Sequence, residues 1–278
     1  MSKKIGIIGF GSQAKRIIRI LEKSGKKINY IYKKNINTNN NHILTNNFNH
    51  IKECNTVFIC SPNNTHFKYI KELHINRYLF CEKPPVEKIN DLKLLSKLKK
   101  SKIYFNFNYR FSKINETFVK AKKLNFGRLL YGNIIFGHGL ATKKNYQNTW
   151  RSYNNKQGVY EVIGIHLIDL INNNFKVLNI KKNLVNFLEN NSPDNAFFTI
   201  KLKDFGQIDC FTSYTSPYEQ KFNFIYENGI IEIANKSITF KGPRNTFNKK
   251  GFFITPKILI KKRLNNTKDY EDSLRKSV

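Results

Sequence analysis

The chain has 278 residues, 40% of them hydrophobic with 23 Phe and 14 Tyr, which predicts two folded domains rather than a disordered chain. Its formal net charge is +30. The lysines are scattered and accompanied by asparagines, which is typical of an A+T-rich coding bias, and no nucleic-acid-binding motif is present. We expect no nucleic-acid partner, although the positive field favours an anionic small-molecule substrate.

Targeting and metal-binding patterns are absent from the sequence. No apolar run is long enough to span a membrane, and the N-terminus lacks the pattern of a secretion signal. The sequence therefore predicts a cytoplasmic protein without a membrane partner. The histidines and the four cysteines have no metal-ligand spacing, so no metal is expected.

The first predicted element is a short buried parallel strand at Ile5–Ile8, followed by a Gly-rich turn and a helix. The turn has the G-x-G-x-x-A pattern. Its first Gly permits the tight turn, its second lets a pyrophosphate approach the backbone, and its Ala packs the helix on the strand. The pattern predicts a dinucleotide-binding Rossmann domain. The candidate cofactor-binding residues here are Gly9, Phe10, Gly11, Ser12, Gln13 and Ala14.

The second predicted strand covers residues 28–32 and ends at Lys33 and Lys34. Rossmann domains that prefer NAD have a carboxylate at this strand end, which binds the ribose hydroxyls. Two lysines would attract a 2′-phosphate instead, so NADP is favoured over NAD. The alternative is that they are two further lysines of a lysine-rich chain, which leaves NAD open. The Asn-rich stretch 35–49 predicts an irregular connection.

Strands and helices continue to alternate up to residue 107, and two polar turns follow apolar strands. In parallel sheets ligands bind beyond the carboxyl ends of the strands, so both turns are expected to line the site. Their candidate residues are Ser61, Pro62, Asn63, His66, Glu82 and Lys83. The predicted elements are strands at 56–60, 78–81 and 103–107 and helices at 66–76 and 89–100.

An ordered set of motifs resembles the glucose–fructose oxidoreductase / inositol dehydrogenase (Gfo/Idh/MocA) family. The resemblance depends on the order of the motifs rather than on any single one. They are Gly9-Phe10-Gly11, Ser61-Pro62-Asn63 with His66, Glu82-Lys83-Pro84, Asn108-Tyr109-Arg110-Phe111, Gly127-Arg128, Trp150-Arg151 and Gly164-Ile165-His166-Leu167-Ile168-Asp169.

The resemblance implies an α/β fold with two domains. Residues 1–112 would form a Rossmann domain with a doubly wound parallel sheet. Residues 113–278 would form an α/β domain with a large open, mostly antiparallel sheet. The β-rich runs of the second half agree with this layout, and Asn228-Gly229 predicts a hairpin because both residues tolerate positive φ.

The resemblance also implies an NAD(P)-dependent oxidoreductase that acts on a hydroxyl or carbonyl group of a sugar, cyclitol or nucleotide sugar, and a homodimer or homotetramer. By resemblance, Lys83 would anchor or polarise the reacting oxygen, and His166 would exchange its proton. The candidate substrate-binding residues are Tyr109, Arg110, Trp150, Arg151, Tyr160 and Asp169.

One position departs from the family pattern. Dehydrogenases of this family commonly have an Asp four residues before the histidine, where this chain has Val162. Glu161 lies five residues before His166, about 140° away around an α-helix, and cannot replace the Asp unless the backbone there is not α-helical. A catalytically weak or inactive dinucleotide-binding sensor or scaffold of the same fold is therefore the alternative.

Overall fold

The computed structural model describes residues 3–34, 43–98, 102–153, 158–234 and 236–278, without the side chains of Trp150 and Tyr153. The chain divides into two compact units. The first unit consists of Met1–Phe107 with Leu274–Val278, and the second unit consists of Asn108–Ser273. The domain limits expected from the sequence, 1–112 and 113–278, stay a prediction.

The first unit has a parallel sheet of six strands in the order β3-β2-β1-β4-β5-β6. This is the strand order of a doubly wound Rossmann fold, as the sequence predicts. The strands are β1 (Ile5–Ile8), β2 (Tyr30–Tyr32), β3 (Leu44–Thr45), β4 (Thr56–Ile59), β5 (Tyr78–Cys81) and β6 (Lys102–Phe105). The helices are α1 (Ser12–Lys23), α2 (Asn49–Lys52), α3 (His66–Leu73) and α4 (Ile89–Leu95).

Apolar side chains cover both faces of this sheet, which explains why its strands read as continuous apolar runs. On one face, Ile17 and Ile18 of α1 pack against Ile7, Ile31 and Phe58. On the other face, side chains of α3 pack against the alternate strand residues. These are Tyr69, Ile70 and Leu73 of α3, with Ile8, Val57, Ile59 and Leu79 of the strands.

The second unit has an eight-stranded sheet in the order β14-β13-β12-β11-β7-β10-β9-β8. Only β7 and β10 pair in parallel, so the sheet is mostly antiparallel, as predicted. The strands are β7 (Leu129–Gly137), β8 (Val177–Val185), β9 (Asn195–Leu202), β10 (Gln207–Ser213), β11 (Glu219–Tyr226), β12 (Gly229–Ala234), β13 (Ser237–Gly242) and β14 (Lys257–Arg263). The helices are α5 (Lys113–Lys123), α6 (Trp150–Tyr153) and α7 (Ile165–Asn174). The last helix, α8 (Asn266–Ser277), begins in this unit, and its residues from Leu274 onward belong to the first unit.

One face of the second sheet is covered by helices. Phe118 of α5 packs edge-on against Phe224 of β11 at 5.0 Å between ring centroids, and Leu167 and Leu170 of α7 belong to the same core. On the other face, side chains such as Phe197 of β9 are exposed. None of the helices in the described ranges is both long and apolar enough to cross a bilayer.

The predicted hairpin joins β11 and β12, but the reason given for it was wrong. Tyr226 pairs with Gly229, so the two loop residues are Glu227 and Asn228. None of these four described residues has positive φ. Gly229 is required for a different reason, because a Cβ there would lie 2.5 Å from ring carbons of Phe126.

Candidate functional site

Gly9 forms the turn that leaves β1. Its φ is +95°, and a Cβ there would lie 2.7 Å from the carbonyl oxygen of Cys60, which follows β4. Its backbone N–H donates to the carbonyl of Tyr32 at the end of β2, at 3.0 Å. Only glycine fits between these neighbouring strand ends at this φ, so the turn can carry the chain directly into α1.

Gly11 precedes α1 and has a different environment. It is exposed, its φ is −79°, and a Cβ would meet nothing within 4 Å. The first turn of α1 contains no acidic residue, so its backbone N–H groups and the positive end of the helix dipole can accept an anion. Ala14 is fully buried against the sheet. The arrangement fits the pyrophosphate of a dinucleotide.

The other residues of this turn and the two lysines lie at the same carboxyl edge of the sheet. Ser12 is exposed, and Phe10 and Gln13 are half-buried. Lys33 is half-buried, and Lys34 is exposed directly after it. Residues 35–42 lie outside the described ranges, so the predicted irregular connection can be compared only from residue 43 onward, where β3 and α2 form.

His66 connects the two predicted polar turns from a fully buried position. Its Nδ1 lies 2.7 Å from the carbonyl oxygen of Pro84, and its Nε2 lies 2.8 Å from that of Ser61. The Ser61 turn is fixed further by Thr65, whose hydroxyl lies 2.6 Å from the Ser61 Oγ. We therefore assign His66 the role of fixing these two turns relative to each other, and its contact with a cofactor stays a prediction.

Replacing His66 is expected to destabilise the protein. In His66→Leu the buried carbonyl of Pro84 and the half-buried carbonyl of Ser61 lose the imidazole that lies within hydrogen-bond distance of both, so we expect the free energy of unfolding to fall by about 3 kcal/mol. Urea denaturation followed by circular dichroism measures it. His74→Leu removes a half-buried imidazole at the end of α3 and is the matched control, with an expected loss below about 1 kcal/mol. Equal losses in the two variants would contradict the assignment.

Lys83 lies between two anchored residues. The carboxylate of Glu82 accepts a hydrogen bond from the Asn106 side chain at 2.5 Å, and the carbonyl of Pro84 is the one bound by His66. Lys83 itself is half-buried. The residues on both sides of Lys83 are thus held by side chains from the residue after β6 and from the first residue of α3.

In the second unit, His166 lies in the first turn of α7 and stacks on Tyr109. The two ring centroids are 5.2 Å apart with an interplanar angle of 28°. His166 is half-buried with its Nδ1 atom inaccessible to solvent, whereas Tyr109 is only 8% exposed. Burial raises the pKa of Tyr109 well above its ordinary value, so the phenol stays neutral and its ring is a fixed platform for the imidazole.

Arg110 and Asp169, both predicted to bind substrate, bind each other. Arg110 donates from Nε to Oδ2 at 2.9 Å and from Nη2 to Oδ1 at 2.5 Å. Asp169 is 10% exposed and Arg110 is 46% exposed, and their hydrogen bond raises the pKa of Arg110. This bidentate pair ties the turn Asn108–Phe111 to α7 beside His166.

Tyr160 and Arg151, two of the remaining predicted substrate-binding residues, have described contacts of their own. Tyr160 packs edge-on against Phe198 of β9 at 5.2 Å, and the Nζ of Lys182 lies 4.6 Å from its ring centroid. The side chain of Trp150 lies outside the described part of the chain. Arg151 is half-buried, and its carbonyl accepts from the Tyr146 hydroxyl at 3.4 Å.

Sequence reasoning missed an aromatic cluster after β7 and β10. His138 lies 5.1 Å from Tyr214, and Tyr214 lies 6.1 Å from Tyr146, between ring centroids. Burial lowers the pKa of His138 and raises that of Tyr146 to about 12, so these groups are neutral at physiological pH. The sequence signal that could have revealed this cluster was the position of its residues after two strands. His138 and Tyr214 follow two parallel neighbouring strands and therefore meet at one edge of the sheet.

The segment just before His166 is not α-helical. Tyr160–Gly164 forms a π-turn, and the backbone at Ile165 donates to the carbonyl of Tyr160, five residues back. Gly158, with φ +52°, precedes this turn at a point where a Cβ would clash with the Pro193 carbonyl oxygen. The condition under which Glu161 can share a helix face with His166 is therefore met.

Comparisons with known proteins agree with this geometry. Residues 3–106 match the family model for Gfo/Idh/MocA, described as an oxidoreductase family with an NAD-binding Rossmann fold. No curated protein matches the sequence.

Solved structures match both units. A levoglucosan dehydrogenase in complex with NADH and levoglucosan superposes with a TM-score of 0.80 at 13% identity, covering 100% of this chain and 88% of that one. A myo-inositol dehydrogenase from Corynebacterium glutamicum superposes with a TM-score of 0.72 at 15% identity, covering 99% of this chain and 86% of that one. The third structure is an oxidoreductase from Agrobacterium radiobacter in complex with NAD+, L-tartaric acid and magnesium. It superposes with a TM-score of 0.77 at 14% identity, covering 99% of this chain and 86% of that one. At these identities the likeness shows the fold. The match to the Gfo/Idh/MocA family model thus covers the Rossmann domain, and the likeness to the solved oxidoreductases covers the fold of both units.

Proposed function

We propose that the protein is an NAD(P)-dependent dehydrogenase or reductase that acts on a CH–OH group or the matching carbonyl of a sugar, cyclitol or nucleotide sugar. The observation that carries the proposal is the turn at the end of β1. Gly9 has a φ and a contact that only glycine tolerates, while Gly11 leaves open space at the N-terminus of α1. This combination serves close approach of a pyrophosphate rather than packing.

Bound NAD(P) would supply the hydride acceptor or donor. In the second unit, the imidazole of His166 would take the hydroxyl proton during oxidation and return it during reduction, while Tyr109 holds the plane of the ring. In the first unit, the ammonium group of Lys83 would stabilise negative charge on the reacting oxygen. The Arg110–Asp169 pair would keep the supporting turn in place, and Arg151 is the basic residue we propose for binding the substrate.

The substrate class follows from the structural relatives and from the charge. The relatives named above include enzymes of levoglucosan and myo-inositol and one structure with L-tartaric acid bound, all small polyhydroxylated molecules. The net charge of +30 favours an anionic member of this class, such as a sugar acid or a nucleotide sugar. A cytoplasmic location and a homodimer or homotetramer remain predictions from the sequence.

Lys33 and Lys34 are proposed to give a preference for NADP(H). In a fluorescence titration at moderate salt, the double variant Lys33→Asp with Lys34→Ala is expected to weaken NADPH binding about tenfold and to change NADH binding little, because only NADPH has the 2′-phosphate. The control is Lys26→Asp with Lys27→Ala, two exposed lysines between α1 and β2 with the same change in net charge. Equal weakening in both double variants would contradict the preference.

A turnover assay tests the enzyme against its alternative. Purified protein is incubated with NAD+ or NADP+ and a panel of sugars, sugar acids, cyclitols and nucleotide sugars, and absorbance of the reduced cofactor is followed. Oxidation of one of them supports the proposal. Cofactor binding without turnover favours the sensor or scaffold, which the apolar Val162 one turn before His166 also favours. If the protein binds neither NAD(H) nor NADP(H), the enzyme proposal and the sensor or scaffold alternative are both contradicted.

A further inference from the structure

The π-turn changes which side chains share the face of His166. Successive residues of an α-helix are 100° apart, so Glu161 would lie about 140° from His166. In a turn with i→i+5 hydrogen bonds each residue advances by only about 80°, so most of the five steps from Glu161 to His166 are shortened. The angle between the two residues falls to about 60°, close to the i,i+3 separation at which helical side chains pair.

A second carboxylate flanks His166 along the same helix, but it is committed elsewhere. Asp169 lies three residues after His166, and both of its oxygens accept hydrogen bonds from Arg110. Tyr109, from the turn that packs on α7, covers a face of the imidazole and is neutral. The charged residues of the π-turn, of α7 and of the turn Asn108–Phe111 are Glu161, Asp169 and Arg110, and the last two are paired with each other.

The surroundings of Glu161 suit a carboxylate that acts on a neighbouring imidazole. Glu161 is half-buried, whereas the next two residues of the turn face the hydrophobic core. Val162 is half-buried and packs against the core, and Ile163 is buried in it. Tyr160, on the other side, packs against Phe198. Glu161 is the one acidic residue of the π-turn, and its side chain is longer than that of an aspartate.

We propose that Glu161 is a positioning residue for His166, and that the π-turn before α7 exists to bring this carboxylate to the face of the helix that carries the imidazole. Glu161 would hold the histidine ring in one orientation and stabilise its protonated form after it has accepted a proton. The inference rests on the proposed function, because it assigns the proton-transfer role to His166.

The test measures the imidazole directly and needs no substrate. Protein labelled with 15N-histidine is titrated by NMR, and the signal of His166 is identified by its loss in His166→Gln. Glu161→Gln preserves shape and removes the charge, so we expect the pKa of His166 to fall by about 0.5 to 1 unit. Glu161→Asp keeps a carboxylate with a shorter reach and is expected to lie between that variant and the wild type.

Glu116→Gln is the matched control, because it removes one exposed carboxylate of α5 whose only described ion pair is with Lys113. We expect no change in the pKa of His166 in this variant. An unchanged pKa in Glu161→Gln, or an equal fall in Glu116→Gln, overturns the proposal. Failure of the proposed function would appear separately as the absence of NADH and NADPH binding, which this titration does not require.

Discussion

Gly11→Asp is expected to raise the dissociation constant for NADH at least about 100-fold without lowering the stability of the fold. Gly11 has ordinary φ and open space around its Cβ direction, so the fold accepts a side chain there. Aspartate is a preferred residue at the start of a helix, because its carboxylate accepts backbone N–H bonds and complements the dipole. The same carboxylate would occupy the position proposed for the cofactor pyrophosphate and would repel its negative charge.

Gly11→Asn separates charge from size in this experiment. Asparagine has nearly the same shape and also begins helices well, so its effect on NADH binding reports bulk alone and is expected to be clearly smaller. Fluorescence titration gives the affinities, and thermal unfolding gives the stability. Full NADH affinity in Gly11→Asp would show that the N-terminus of α1 is not the pyrophosphate site.

The Rossmann half could be predicted because its signals are local. The run Ile5–Ile8, the glycine turn and the spacing of Ala14, Ile17 and Ile18 each report the environment of a few neighbouring residues. The strand at Tyr78–Cys81 is found at the predicted limits for the same reason, since a buried parallel strand is apolar on both faces. The helix predicted at 89–100 extends only over Ile89–Leu95 within the described residues.

Features that depend on distant residues were not predictable. Arg110 and Asp169 are 59 positions apart, and nothing in either motif indicates that they pair rather than bind a ligand. The helix α5 is not among the elements predicted from the sequence, and its N-terminus depends on Ser112, whose hydroxyl accepts a hydrogen bond from the Asn115 backbone N–H. The strands β13 and β14 were not predicted, although Ile238-Thr239-Phe240 and Ile258-Leu259-Ile260 are short runs of apolar and β-branched residues.

The π-turn shows where helical periodicity fails to predict which residues share a helix face. The predicted angle of about 140° between Glu161 and His166 assumed 3.6 residues per turn. Because one turn before His166 is wider by a residue, that angle no longer excludes Glu161 from the helix face of His166. No residue between Tyr160 and Gly164 marks such a turn in the sequence, because Val162 and Ile163 suit either helix. The widened turn becomes visible only through the backbone hydrogen bonds.

His166→Gln is expected to lower kcat by a factor of about 100 to 10,000 while leaving NADH affinity unchanged, once a substrate has been found by the turnover assay. Glutamine can donate and accept hydrogen bonds at similar reach, but it cannot take up a proton at neutral pH. The matched control is Tyr109→Phe, which keeps the ring that stacks on His166 and removes only a hydroxyl. We expect this control to retain most of the turnover, because the ring rather than the hydroxyl supports the imidazole.

The pH dependence of the same variants distinguishes a proton acceptor from a residue that only shapes the site. Oxidation by the wild type requires the neutral imidazole, so kcat should rise with pH through the pKa of His166 and then reach a plateau. His166→Gln should lose this inflection, and its residual rate should depend on hydroxide or on another base. An inflection that persists in His166→Gln would assign the proton to a different group, even if kcat fell, whereas its loss together with a normal inflection in Tyr109→Phe would establish His166 as the acid and base.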